Sequence, residues 1–156
     1  REDFSAFHLT TESVENVQNL EEKFVLKYEI SAPEYAKSAG NLLLVRPRVL
    51  GSDAKELNDR PRKYPIDLAA VGTWRDSFDV AVPAGFAIDE VPEPVQVDVG
   101  FATYRSEVKT DQNVLRYSRE LVVKELALNP DQYDALKKLE SAITADENRS
   151  AVLKRQ

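Results

Sequence analysis

The sequence predicts a mainly β fold, an antiparallel β-sandwich of about seven or eight strands with one C-terminal amphipathic α-helix packed on it. Three observations lead there. Apolar and polar residues alternate with a period of two through most of the chain, turns rich in proline and glycine punctuate those runs, and only one late segment changes to helical spacing. The 156 residues read as a single domain, and 42% hydrophobic residues suffice to bury a core without a disulfide or metal staple.

Taken in order, residues 4–10 are strand-like, and the polar stretch from Glu12 to Glu22 suits a turn or an edge. Phe24, Leu26, Tyr28 and Ile30 alternate with Lys27 and Glu29, the pattern of a half-buried strand. Pro33 closes it, because proline donates nothing to a ladder. Glu34 to Gly40 reads as a loop or a single helical turn, and Leu42 to Val45 as a buried strand bounded by Pro47 and Gly51. Ser52 to Asn58 is expected to form a short helix or excursion capped by Ser52 or Asp53. The segment Tyr64 to Leu68, interrupted by Pro65, belongs at a sheet edge or a strand start.

From Trp74 the alternation sharpens. Phe78, Val80 and Val82 alternate with Asp79 and Ala81, Pro83-Ala84-Gly85 supplies a type I turn with proline second and glycine fourth, and Phe86 to Val91 returns. Residues 74–91 are therefore expected to form a β-hairpin. Val91-Pro92-Glu93-Pro94 forces an extended break, since each proline biases its predecessor away from helix. Val95 to Val99 is another short strand. A second hairpin runs from Phe101 to Lys109, turns at Thr110 to Asn113, and returns through Val114 to Leu126.

Then the period changes. Asn129 is a good N-cap, Pro130 fits the first helical position, and Asp131 favours the positive end of the helix dipole. Tyr133, Leu136, Leu139 and Ile143 line one face of a helix of about 15 residues. That stripe is expected to pack on the outer face of a sheet, with Ala151 to Leu153 as a last short strand.

Several function classes fall away. The 21 basic and 27 acidic side chains leave a formal charge of −6, and the densest basic stretch, Arg60-Pro61-Arg62-Lys63, is too sparse for a phosphate backbone. No nucleic acid is expected as a partner. No apolar run is long enough to span a membrane. The chain holds no Cys, which excludes a thiol nucleophile and any Cys-ligated metal. His8 is the sole histidine and lacks a neighbouring serine motif, so it reads as a surface or edge-strand residue. Asp76, Asp79, Asp89, Glu90, Glu93 and Asp98 crowd one region without calcium-loop spacing, and Asp79 lies on a water-facing phase. No catalytic residue, cofactor or metal ligand is expected. Trp74, Tyr104 and Tyr117 are the ligand-binding candidates, because aromatics on sandwich strands can stack on sugar rings, although core packing is the simpler use of them.

The order Arg60-Pro61-Arg62-Lys63-Tyr64-Pro65-Ile66, then Pro83-Ala84-Gly85, then Val91-Pro92-Glu93-Pro94 resembles a bacterial family pattern. Tyr104, Tyr117-Ser118-Arg119, the Tyr133 helix, Ile143 to Asp146 and Val152-Leu153 continue the likeness, which runs from about residue 24 to the end. In that family the segment is the C-terminal β-sandwich domain, of unknown function, behind a transglutaminase-like domain. Arg1 in place of Met, with no Met anywhere, fits a piece cut from the C-terminus of such a protein. The resemblance implies a non-catalytic accessory domain that packs on or positions an upstream transglutaminase-like domain, whose Cys, His and Asp would lie outside this chain. It further implies a periplasmic or extracellular location. The alternative is a carbohydrate- or protein-binding module of the cell envelope, and the corresponding partners are an upstream domain of the same polypeptide or an envelope glycan or protein.

Overall fold

In a computed structural model describing residues 8–32, 34–51 and 57–156, alternation and turns give twelve strands and one α-helix. The first strands are β1 (His8–Glu15), β2 (Val25–Ser31), β3 (Lys37–Ala39), β4 (Leu42–Val45), β5 (Ile66–Asp67) and β6 (Gly72–Ala81). They are followed by β7 (Phe86–Glu90), β8 (Val95–Asp98), β9 (Ala102–Asp111), β10 (Val114–Val123) and β11 (Ala127–Leu128). A short 3-10 turn then leads into α1 (Tyr133–Glu147), and β12 (Ala151–Arg155) ends the chain. The fold is mainly β and antiparallel with one C-terminal helix, as the sequence predicts, but the described residues form more strands than the seven or eight expected, in several sheets. Two four-stranded sheets, ordered β6-β10-β9-β8 and β3-β4-β12-β7, form the body. The pairs β1-β2 and β5-β11 stand apart from them.

The first sheet is organised by the β9-β10 hairpin. Its two-residue loop, Gln112-Asn113, places Gln112 at φ +51°, the left-handed conformation that matches strand twist. Because directly paired residues share a face, the register lays out one inner face in rows. Val80 and Leu115 form the first, Phe78, Tyr117 and Val108 the second, Asp76, Arg119, Ser106 and Val95 the third, and Trp74, Leu121, Tyr104 and Val97 the fourth.

Two apolar cores cover opposite ends of that face. At the first, Leu115, Val80 and Val108 meet Val45, Leu153, Phe86 and Ile88 from the second sheet. At the other, Tyr104, Leu121 and Val97 meet Tyr133, Leu136, Leu139 and Ile143 of α1, with Phe101 and Leu128 between them. The helix therefore lies beside the second sheet on the inner face. It does not sit outside the sandwich as the sequence suggested, because the second sheet is too narrow to cover strands of ten residues.

Residues 74–91 are not a hairpin. All ten residues of β6 pair with β10, whereas β7 pairs with β12, so the intervening turn carries the chain from one sheet to the other. That turn also falls one residue later than predicted. The Phe86 N–H donates to the Pro83 carbonyl at 3.2 Å, and Gly85, third in the turn, has φ +81°. This is the position at which a type II turn calls for glycine. The closing strand β12 turns out to be central, held between β4 and β7. The helix begins where expected, with Pro130 opening the 3-10 turn and the Asn129 N–H donating to Gln132 Oε1 at 2.8 Å. Among the described residues no helix is long and apolar enough to cross a membrane. The predicted strand over residues 4–7, the stop at Pro33 and the helix at Ser52 to Glu56 lie outside the described residues.

Candidate interaction surfaces

The third row of the inner face carries charge where both neighbouring rows are apolar or aromatic. Arg119 comes from β10, Asp76 from β6, Arg48 from the segment after β4, and Asp146 and Glu147 from the last turn of α1. Arg119 Nε lies 2.5 Å from Asp76 Oδ2, and Arg119 NH1 lies 3.7 Å from Glu147 Oε1. Arg48 NH1 pairs with the same Glu147 oxygen, and its NH2 lies 3.4 Å from Asp76. Both guanidinium groups and the Glu147 carboxylate are almost wholly buried. Tyr104 and Tyr117 complete the network, their hydroxyls donating to Asp146 Oδ2 at 2.6 and 3.2 Å.

Two carboxylates at a helix C-terminus oppose the helix dipole, so their burial requires compensation. Two arginines and two phenols supply it here, and the arrangement locks α1 to the sheet in one register. Burial pushes the Tyr104 phenol up to about 12, assisted by the hydrogen bond to the Asp146 carboxylate and by its charge. Tyr117 moves in the same direction, first through burial and then through the electrostatic influence of Tyr104 and Asp146. These phenols hold their protons, as donors to a carboxylate must.

The aromatic candidates fall into two places. Tyr104 and Tyr117 are 1% and 4% exposed and point into the body, so they offer no face to a ligand arriving from solvent. Trp74 is 41% exposed on the same inner face, at the free edge of β6. Its ring lies over Gly72, where an added Cβ would stand 3.3 Å from the indole. Trp74 forms one wall of an apolar slot of about 170 Å³ between the sheet and α1, together with Leu121, Val123, Leu136 and Ile143. The structure thus does not bring the three aromatics together as a stacking platform.

His8 stands exposed at the start of β1, opposite Ser31. Of the six crowded carboxylates, Asp76 joins the buried network, exposed Asp79 lies 3.4 Å from Arg116, and Asp98 accepts the Gly100 N–H at 2.8 Å. Among the described residues no three histidine or acidic side chains come together in a geometry that would hold a metal ion. In the basic stretch, Arg62 stacks its guanidinium 5.1 Å above the Tyr133 ring.

Among the described residues, the β1-β2 hairpin gathers several exposed apolar side chains. Its register puts Leu9 opposite Ile30, Glu12 opposite Tyr28, and Val14 opposite Leu26 on one face. The other face carries Thr11 with Glu29, Ser13 with Lys27, and Glu15 with Val25. Phe24 continues the apolar phase just before β2. The alternation that predicted a half-buried strand is present, but the face it prepares is uncovered. Leu9, Val14, Phe24, Leu26 and Tyr28 range from 46% to 64% exposed. Apolar side chains gathered on one exposed face, rather than scattered singly, are the kind of surface that binds a partner.

A family model matches residues 41–153, from the segment before β4 into β12, and is described as a domain of unknown function with a solved structure, DUF3858. The chain belongs to this family. No curated protein and no solved structure matches it. The DUF3858 segment contains both four-stranded sheets except β3 and the last two residues of β12, together with the charged network and the helix, and it excludes the β1-β2 hairpin.

Proposed function

We propose that this DUF3858 chain is a non-catalytic accessory domain that packs on, and positions, an upstream transglutaminase-like domain of the same polypeptide. One observation carries the reading: an amphipathic two-stranded hairpin, outside the DUF3858 segment, holds its apolar face open to water. A two-stranded hairpin alone is marginally stable, and only a third layer or further strands make such a pair robust. The β1-β2 face therefore has the character of half an interface. The transglutaminase-like identity of the partner, and the periplasmic or extracellular location that goes with it, rest on the sequence resemblance. The buried network fits the same role, because its titratable groups are spent on fixing α1 to the sheet, which makes the body a rigid spacer behind the hairpin.

The test uses Leu26→Ser and Tyr28→Ser in the chain and in the protein that carries it together with the transglutaminase-like core. In the isolated chain both side chains face water, so the melting temperature of the body should stay unchanged. Association with the core should be lost, and the core should melt at a lower temperature. If chain and core show no contact when mixed, and removing the chain leaves the core's stability unchanged, the proposal fails.

A further inference from the structure

The outer face of the β6-β10-β9-β8 sheet carries a feature that neither packing nor the proposed docking uses. One row across it reads Arg75, Glu120, Arg105 and Gln96 from the four strands in turn. Glu120 sits between two cations: Arg75 Nε is 2.5 Å from its Oε2, and Arg105 NH2 is 3.0 Å from its Oε1. The Glu120 side chain is only 15% exposed, whereas those of Arg75 and Arg105 are 72% and 71% exposed. Each guanidinium is thus held at one nitrogen and presents its remaining N–H groups to solvent. Within this row two cations share one anion, so the row itself carries one positive charge on a chain whose formal charge is −6.

This row lines an open cleft of about 520 Å³ that spans the sheet. In the next row Ser77 pairs with Ser118, and Ser118 with Glu107. Neither serine hydroxyl takes part in a hydrogen bond among the described residues. The Glu107 carboxylate also lines the cleft, and Lys109 Nζ, 2.7 Å away, pairs its charge. The cleft therefore combines pinned guanidinium donors, adjacent hydroxyls and an amide at Gln96.

The geometry points to a binding site for a carboxylate-bearing, hydroxyl-rich ligand, the chemistry of an acidic saccharide. Its carboxylate bridges the outward N–H groups of Arg75 and Arg105, and its hydroxyls reach Ser77, Ser118 and Gln96. A planar guanidinium matches a carboxylate with two parallel hydrogen bonds. Because Glu120 already restrains both side chains, ordering them on binding costs less than it would for free surface arginines. This site is independent of the hairpin face, which lies on a separate sheet.

The experiment is titration of the isotope-labelled chain with sodium glucuronate, followed through its amide resonances, with glucose, sodium glutamate and sodium chloride in parallel. Saturable shifts centred on residues 75–77, 105–107 and 118–120 are expected with glucuronate. Binding should be about tenfold weaker or absent with glucose, the loss expected when a charge-assisted pair is removed. Arg75→Gln and Arg105→Gln should each weaken glucuronate binding severalfold, whereas Arg116→Gln, two rows away on the same face, should not. Shifts that are unsaturable, equally large with chloride or glucose, or retained in Arg105→Gln would overturn the site. Equal binding of glutamate would overturn its saccharide character.

Discussion

Removing the charge of Glu147 should destabilise the fold far more than removing any exposed charge. Glu147 is the acceptor shared by Arg48 and Arg119, with the three side chains 4%, 5% and 3% exposed. Glu147→Gln keeps the shape and leaves two buried guanidiniums facing Asp76, whose side chain is 32% exposed. Breaking a buried pair from one side costs about 3–5 kcal/mol, because the remaining charge is desolvated without full compensation. With a urea dependence of about 2 kcal/mol per molar for a chain of this size, the unfolding midpoint should fall by roughly 1.5–2.5 M. The control is Lys109→Gln, which breaks an exposed pair with Glu107 and should cost less than about 1 kcal/mol. A double-mutant cycle sharpens the point. Arg48→Met and Glu147→Leu together should cost clearly less than the sum of the two single changes, since the pair leaves no orphaned charge between those positions. Strict additivity, or a Glu147→Gln midpoint within about 0.3 M of the parent, would show that the network is not a structural tie.

Leu136→Asp should destabilise the body by several kcal/mol, because Leu136 is 4% exposed in the core between α1 and the sheet and a charge there finds no partner; an unchanged melting temperature would refute the docking of the helix. Gly85→Val should cost about 1–2 kcal/mol in urea unfolding, all of it backbone strain, since φ is +81° and an added Cβ would meet nothing within 4 Å. Alkaline titration tests the phenols: burial, with the Asp146 carboxylate, keeps Tyr104 neutral up to about 12 in the folded chain against 10.0 for an ordinary phenol, so the native state holds the extra proton between those values. The Tyr104 share of stability should be level below pH 10 and fall by about 2.7 kcal/mol on the way to pH 12 for a shift of two units, Tyr117 adding to the fall in the same direction, with a shallower decline in Tyr104→Phe.

Much of this fold was legible because alternation is a local signal. The phase of β10, with Leu115, Tyr117, Leu121 and Val123 on one side, follows from period two alone, and so does the helical stripe of Tyr133, Leu136, Leu139 and Ile143. What failed was pairing. The β6-turn-β7 segment has all the local marks of a hairpin, but β10 offers β6 ten consecutive partners and β12 takes β7, and no local rule weighs a distant strand against a near one. The hairpin face of β1-β2 was legible as amphipathic but not as uncovered, since a period reports which residues share a side and nothing about what lies opposite.

The charged network left a trace that was readable. Arg119 falls on the apolar phase of β10 between Tyr117 and Leu121, and Asp76 falls on the apolar phase of β6 between Trp74 and Phe78. Asp146 and Glu147 extend the buried stripe of α1 three and four residues beyond Ile143. Charges on inward phases of three separate elements, with opposite signs, mark a buried ion network. Arg48 gave no such sign, because it lies in a segment without periodicity. The outer row of Arg75, Glu120 and Arg105 is written in the sequence only as ordinary alternating charge, and it becomes a clamp once register sets the three side by side.

The two charged rows stand back to back. Arg75 and Asp76, Arg119 and Glu120, and Arg105 and Ser106 are successive residues on strands whose side chains alternate between faces. The buried row fixes the spacing of β6, β10 and β9 at the height where the outer row needs its two guanidiniums held apart by one carboxylate. A slip of one residue in β6 would send Asp76 outward, bury Arg75 beside Arg119, and destroy both rows at once. Like charges meeting inside the body make that alternative costly, so the inner network selects the register on which the outer clamp depends.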